Sequence, residues 1–214
     1  MSIKMNHANH KTMTNMVENY PMHNGSFIQL VRASLGLAIV ALGLCGLSYS
    51  IIMTGFGQMF FPEQANGSLI LKNNQVVGSK LVAQAFIQDQ YFQSRPSVAN
   101  YDPMAMTGSN MAQTNPDLQR VVQERIRQIS VREKIDPEKI PVDLVTASGS
   151  GIDPEISVQS ALIQVKRIAK KRSLHEAEVI KLITQFTQKP TFGILGVARV
   201  NVLELNLALD QIKP

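Results

Sequence analysis

Hydrophobic and polar positions follow three regimes along this chain. From Ala33 to Pro62, 30 consecutive residues pass without an Asp, Glu, Lys or Arg, and the centre, Leu35 to Met53, holds 14 apolar residues in 19. The other five are Gly36, Gly43, Gly46, Ser48 and Ser50. As a helix, these 19 residues would span about 28 Å, close to the hydrocarbon thickness of a bilayer. A buried core helix would normally show a break or a charge in such a run, and the apolar region of a cleavable signal peptide covers only about 7 to 15 residues. The pattern predicts an uncleaved transmembrane helix over 33–54.

The stretch before it, 1–26, is rich in Asn, Met, His, Lys and Thr without a usable apolar period, and reads as a disordered polar tail. His7, His10 and His23 could gather a metal ion, but no carboxylate stands beside them, so chance histidines in a flexible tail are the simpler reading.

After Glu63 the pattern alternates between strand and helix. Leu69–Leu71 and Gln75–Val77 flank Lys72-Asn73-Asn74 as a hairpin with an Asn-rich turn. Leu81–Gln88 has helical spacing, and Asn115-Pro116-Asp117 opens a helix that keeps its period through Ile129 toward Glu133. Pro141–Val145 reads as a strand entering the turn at Ser148–Gly151. A helix follows from about Ser157 to Lys171, and a capping box at Ser173–Glu176 opens another to about Phe186. At Arg199–Asp210, a short strand turns into a helix, with Asn201 and Glu204 spaced as a cap. The fold class expected is an α+β soluble domain over 63–214, preceded by a single N-terminal transmembrane α-helix.

Composition and charge narrow the chemistry. The net charge of +5 falls to +3 over 63–214, too little to argue for nucleic acid. The one cysteine, Cys45, lies within the apolar run, which excludes an intramolecular disulfide and a cysteine zinc site. Arg32 abuts the run on one side, while Lys72 lies well beyond it on the other, which favours a cytoplasmic N-terminus and an extracytoplasmic domain.

Neither a phosphate-cradling G-x-x-x-x-G-K-[ST] nor a dinucleotide G-x-G-x-x-G is present, and a G-x-S-x-G elbow is missing. Outside the tail the only histidine is His175, so an anchored hydrolase would have to use Ser148 or Ser150 with it. What stands out instead is a set of polar loops. Tyr91–Ser97 carries Arg95, Thr107–Asn110 leads into Thr114-Asn115-Pro116, and Thr146–Pro154 carries Asp153. Turn and cap chemistry explains most of their Ser, Asn and Gly. Their density around Arg95 and Asp153 points to a shared polar surface. The basic run at Lys166-Arg167 and Lys170-Lys171-Arg172 could meet an acidic partner or lipid head groups, but reads more simply as a solvated face with cations at a helix C-terminus.

Several segments carry a resemblance to one family. They begin with Gly57–Pro62 and Gln64–Ile70, and continue with Val77-Gly78-Ser79, Gln84, Tyr91-Phe92, Arg95-Pro96-Ser97 and Gly108-Ser109-Asn110. Asn115-Pro116, Val145–Ser148, Gly151-Ile152-Asp153, Gln164-Val165, Arg167-Ile168-Ala169 and Val200–Asp210 complete the set. In this order, over about residues 27–214, the chain resembles the C subunit of the potassium-transporting Kdp ATPase. The tail before Phe27 looks longer than is usual in that family, and Met111-Ala112-Gln113 fills a variable stretch.

The resemblance implies a non-catalytic accessory subunit in the bacterial inner membrane, single-pass, with its large domain periplasmic. Its implied partners are a potassium-channel-like subunit, a P-type ATPase subunit and membrane lipid, with no nucleic acid. The implied role is assembly, together with a chaperone-like raising of the ATPase subunit's ATP affinity. No cofactor is expected in this chain itself, ATP entering through the ATPase subunit. A membrane-anchored extracytoplasmic scaffold unrelated to transport is the alternative. Candidate partner contacts are Gly46, Ser50, Gln84, Arg95, Ser97, Ser109, Asn110, Ser148 and Asp153.

Small residues four apart, Ser34/Ala38, Ala41/Cys45 and Gly46/Ser50, would let a neighbouring membrane helix approach closely. Gly46→Leu is expected to weaken co-purification of the complex from detergent; unchanged subunit recovery would count against helix packing there.

Overall fold

A computed structural model describes residues 26–212, and the chain divides into two compact units, Met1–Phe60 and Phe61–Pro214. The tail reading and the three tail histidines lie outside the described residues, apart from Ser26.

Among the described residues the first unit is one helix, α1, Phe27–Phe60, with no buried residue. Among the described residues it is the one helix long and apolar enough to cross a bilayer, and it runs past 33–54 at both ends. At its start the Ser26 N–H donates to Gln29 Oε1 at 3.2 Å. Leu42–Ser48 is a π-helical turn, which shifts everything after it by roughly 100° around the axis. The Ser34/Ala38 and Gly46/Ser50 stripes are therefore offset from uninterrupted α-helical phase. Hydroxyls in hydrocarbon need an internal acceptor. Ser34 Oγ donates to the Leu30 carbonyl at 2.8 Å, Ser48 Oγ to Gly43 O at 3.0 Å, and Ser50 Oγ to Gly46 O.

The second unit is α+β. After a short helix α2, Pro62–Ala65, the strands β1, Leu69–Lys72, and β2, Gln75–Ser79, form an antiparallel hairpin. Asn73 and Asn74 both take positive φ in its two-residue turn, as a tight hairpin requires. Helix α3, Pro116–Glu133, starts where Asn115 Oδ1 accepts the Asp117 N–H at 2.8 Å. Then come β3, Glu155–Ser157; α4, Val158–Leu162; α5, Val165–Arg172; α6, Glu176–Phe186; β4, Thr187–Gln188; β5, Arg199–Asn201; and α7, Val202–Leu209. The second sheet is antiparallel in the order β3-β5-β4. Ile156, Val200, Ile168, Val179, Ile183, Leu205 and Leu209 form the core around it.

The most informative element has no regular structure. Residues 89–97 run as irregular chain, yet Phe92 is completely buried in that core. A buried backbone must find hydrogen-bond partners, and here amide side chains supply them. Asn206 of α7 accepts the Phe92 N–H at 2.8 Å and donates to the Phe92 carbonyl at 2.9 Å. Gln164, between α4 and α5, accepts the Gln93 N–H at 2.8 Å and donates to its carbonyl at 3.2 Å. Each carboxamide pairs with one residue's N–H and C=O together, as a neighbouring strand would.

Arginines complete the cradle. Arg167 donates to the Tyr91 carbonyl at 3.0 Å and to Asp89 O, while its Nε meets both oxygens of the buried Glu133 at 3.0 Å. Arg132 Nε also reaches Glu133, at 2.7 Å. Arg172 donates to Gln90 O at 2.9 Å and Asp210 Oδ1 at 2.6 Å, with its guanidinium 4.8 Å from the Tyr91 ring centre. Burial pushes the Arg167 pKa down, with the Glu133 charge opposing the shift.

Several sequence expectations need correction. Leu81–Gln88 is irregular, not helical. Its helical spacing lacks helical hydrogen bonds; instead Gln84 Nε2 donates to Val77 O at 2.8 Å and the Ala83 N–H to Ile152 O at 2.8 Å. Pro141–Val145 is a 3-10 turn over Val142–Leu144, because Asp143 folds back to accept the Ser157 N–H at 2.7 Å and the Ser160 hydroxyl at 2.6 Å. The helix expected over 157–171 is two helices following a strand. Ser173 takes positive φ and ends α5, so the cap of α6 falls two residues later, where the His175 N–H donates to Glu178 at 3.0 Å. Within the basic run, Arg167 and Arg172 are not a solvated face; they turn inward.

Asn206→Ala would leave both backbone groups of Phe92 buried and unpaired, at about 1–3 kcal/mol each. Its expected loss of unfolding free energy is about 2–6 kcal/mol, read from urea denaturation of the full chain in detergent by circular dichroism. An unchanged midpoint would refute the role given to this side chain.

Candidate functional site

Residues 89–97 deliver Arg95 to the place where the polar loops meet. Arg95 Nη1 donates to Asp153 Oδ2 at 2.8 Å, both side chains being partly exposed. Asp153 Oδ1 accepts the Glu155 N–H at 3.0 Å, fixing the carboxylate at the entrance to β3. Tyr101 closes the other side: its hydroxyl donates to Arg95 O at 2.8 Å and its N–H to Ser97 Oγ at 2.9 Å. Arg95 Nε and Ser94 Oγ are buried without hydrogen-bond partners among the described residues.

Two glycines let the loops touch. A Cβ on Gly108 would stand 2.9 Å from Gly149 O. Gly151 has φ +75°, and a Cβ there would stand 2.7 Å from Thr107 O and 2.9 Å from the Ala99 Cβ. A side chain at either position would separate 107–110 from 148–151. Beside this contact lies a mostly apolar cavity of about 380 Å3, lined in part by Arg95, Asp153, Val142, Val197 and Arg199. Arg199 Nε pairs with Glu155 at 2.7–2.8 Å on the same rim.

The predicted contacts fall in several places. Arg95, Asp153 and Ser97 are brought together, and Ser148 lies buried beneath them, its Oγ 3.5 Å from the Asp153 N–H. Ser109 and Asn110 are in the adjoining loop, Asn110 exposed with φ +52°. Gln84 is held against the hairpin by Val77, and Gly46 and Ser50 belong to α1 in the other unit. The Asp143–Ser157–Ser160 network, with Ser157 Oγ 3.2 Å from Asp143 and 2.9 Å from Ser160 Oγ, was not legible in the sequence. Only the cap spacing of Ser157 and Ser160 hints at it.

This arrangement is held by ion pairs. Among the described residues, Ser150 Oγ accepts the Ile152 N–H at 3.2 Å, and no hydrogen bond links Ser148 or Ser150 to His175. The Gly149-Ser150-Gly151 loop runs into β3 and is packed on by Gly108 and Ala99, unlike a glycine-rich loop that opens a helix N-terminus. A separate cleft of about 490 Å3 is rimmed by Lys134, Lys166, Lys170 and Lys171. There Lys171, 3.1 Å from Asp89, lowers that carboxyl's pKa.

Fold and site thus define a class: an α+β domain that follows a helix long enough to cross a membrane, with a polar face held by the Arg95–Asp153 and Arg199–Glu155 ion pairs. Residues 31–211 match the family model KdpC, the K+-transporting ATPase c chain. The chain belongs to that family. It is 48% identical to the potassium-transporting ATPase KdpC subunit of Shewanella putrefaciens, over 85% of this chain and 89% of that one. The subunits of the same name from Acidobacterium capsulatum and Paraburkholderia xenovorans are 49% and 45% identical, over 85% and 86% of this chain and 97% of each of theirs. The chain is accordingly a subunit of a Kdp-type potassium-transporting ATPase, and partners with other subunits of that complex.

Tyr101 offers a pH test of the loop closure. Burial raises its pKa above the ordinary 10.0, so the folded state favours the neutral phenol. Tyr101 therefore contributes stability that is complete below about pH 10 and lost as pH rises beyond it. Tyr101→Phe is expected to cost about 1 kcal/mol at pH 7, through the lost bond to Arg95 O, and to flatten the alkaline fall in stability. Equal alkaline slopes in wild type and variant would contradict the assignment.

Proposed function

We propose that this chain is a non-catalytic assembly subunit. Its α1 helix packs among the membrane helices of the complex, and the Arg95–Asp153 face docks on the channel-like subunit. The observation that carries this reading is the convergence of three sequence-distant loops on one closed surface, fixed by the Arg95–Asp153 bond and the Gly108/Gly149 contact. A surface held by internal ion pairs and backbone contacts is preorganised for binding. The Arg95 and Asp153 charges are already paired with each other, which suits a fixed docking face better than a proton-transfer site.

In this reading the N-terminus is cytoplasmic and the domain periplasmic, in the bacterial inner membrane. Arg32 beside the apolar run, with no Lys or Arg until Lys72 on the far side, supports that orientation. A periplasmic domain does not meet cytoplasmic ATP, so any rise in ATP affinity is transmitted through the ATPase subunit. The Lys134/Lys166/Lys170/Lys171 cleft is left out of this docking.

Arg95→Ala would strand Asp153 and loosen the loops around Tyr101. Co-expressed with the other subunits, the variant is expected to lower both their recovery through a tag on this chain and the potassium-stimulated ATPase of what is recovered. Full recovery with unchanged ATPase would overturn the docking role of this face.

A further inference from the structure

The β4–β5 connection is apolar where a soluble surface should be polar. Pro190–Ala198 contains no charged residue. At its tip Phe192 is 89% exposed, Ile194 82% and Val197 72%, with Leu195 also exposed. Scattered exposed apolar residues are ordinary, but four within six positions on one loop form a contiguous patch. The loop is also ordered. Thr191 and Leu195 form a bridge, with the Thr191 N–H on Leu195 O at 2.8 Å, the Leu195 N–H on Thr191 O at 3.0 Å and the Gly193 N–H on Pro190 O at 2.9 Å. Phe192 itself sits at φ +56°, in the left-handed region that a bulky aromatic rarely adopts, so the backbone turn projects this ring outward at a conformational cost.

The base of the loop continues into the cavity described above. Val197 lines it together with Val142, which is also largely exposed, and with Arg95 and Asp153. The face therefore combines a projecting apolar tip, an apolar concavity and two ion pairs, Arg95–Asp153 and Arg199–Glu155, each neutral in itself.

We propose that the Phe192–Val197 loop is a docking finger that buries its tip in another protein subunit of the transport complex, against an apolar segment low in net charge. This rests on the reading of the chain as an assembly subunit, and extends the docking face from its ion pair to the loop beside it. Charge selects the occupant. Recruitment to an anionic membrane surface draws on clustered free cations. Arg199 is already paired with Glu155, leaving Lys189 as the flanking cation among the described residues, and a concavity is not filled by a flat lipid surface. A partner segment of matching neutrality fits both the finger and the cavity.

The test places the photocrosslinking residue p-benzoylphenylalanine at position 192 in the full-length chain within the assembled complex, with position 131 on exposed α3 as the comparison. Irradiation is expected to give an adduct with another subunit from 192 and not from 131. Adducts with lipid alone, or none, in a complex that retains potassium-stimulated ATPase would overturn the finger and leave the assembly role standing. A wild-type chain that fails to recover any partner subunit would overturn both. Independently, Phe192→Ser with Ile194→Ser is expected to weaken subunit association about tenfold, as removal of a buried apolar anchor does. Because both side chains are solvent-facing in the chain alone, its urea midpoint should not fall; association unchanged in the double variant would refute the proposal.

Discussion

The soluble domain depends on how Phe92 is buried. Its ring fills the core between sheet and helices, but the segment carrying it has no strand beside it. Asn206 and Gln164 resolve this by presenting a carboxamide to each of two successive residues, so the chain is held as if in a ladder without extending the sheet. The alternative, a buried and unpaired backbone, would cost on the order of a kcal/mol or more per group. Arg167, locked on Glu133, and Arg172, locked on Asp210, extend the same support toward Asp89.

The candidate docking face follows from that placement. Three residues after Phe92 the chain presents Arg95 to Asp153, and Tyr101 turns back to hold Arg95's carbonyl. The glycine contacts between 107–110 and 148–151 then complete a surface built from residues far apart in sequence. A face fixed in this way suits the assembly role proposed for the chain. It borders the apolar β4–β5 loop, so the polar and apolar parts of the proposed docking surface line one cavity.

Much of the architecture was legible in the chain. The charge-free run became α1, the Asn73-Asn74 turn a hairpin, Asn115-Pro116 the start of α3, and Asn201–Glu204 the cap of α7, whose Glu204 N–H reaches Asn201 Oδ1 at 3.1 Å. These are local signals, set by residues within a turn of each other. Misread elements were decided by distant partners: Leu81–Gln88 had helical spacing but spends its polar groups on Val77 and Ile152, and Asp143 ends a would-be strand by capping Ser157 and Ser160. Arg167 and Arg172 show the same limit. Nothing local separates a cation that reaches water from one that turns inward onto carbonyls 76 to 82 positions away. At the candidate site, Arg95 and Asp153 stood out by type, whereas the projection of Phe192 rests on a backbone turn that apolar patterning does not reveal.

Amide hydrogen exchange at Phe92 and Gln93, measured on the full-length chain in detergent or nanodiscs, tests the central constraint most directly. The account predicts protection comparable to that of Val200 in β5, although neither residue lies in a strand. Exchange as fast as in the exposed stretch around Met104 and Met106 would contradict it.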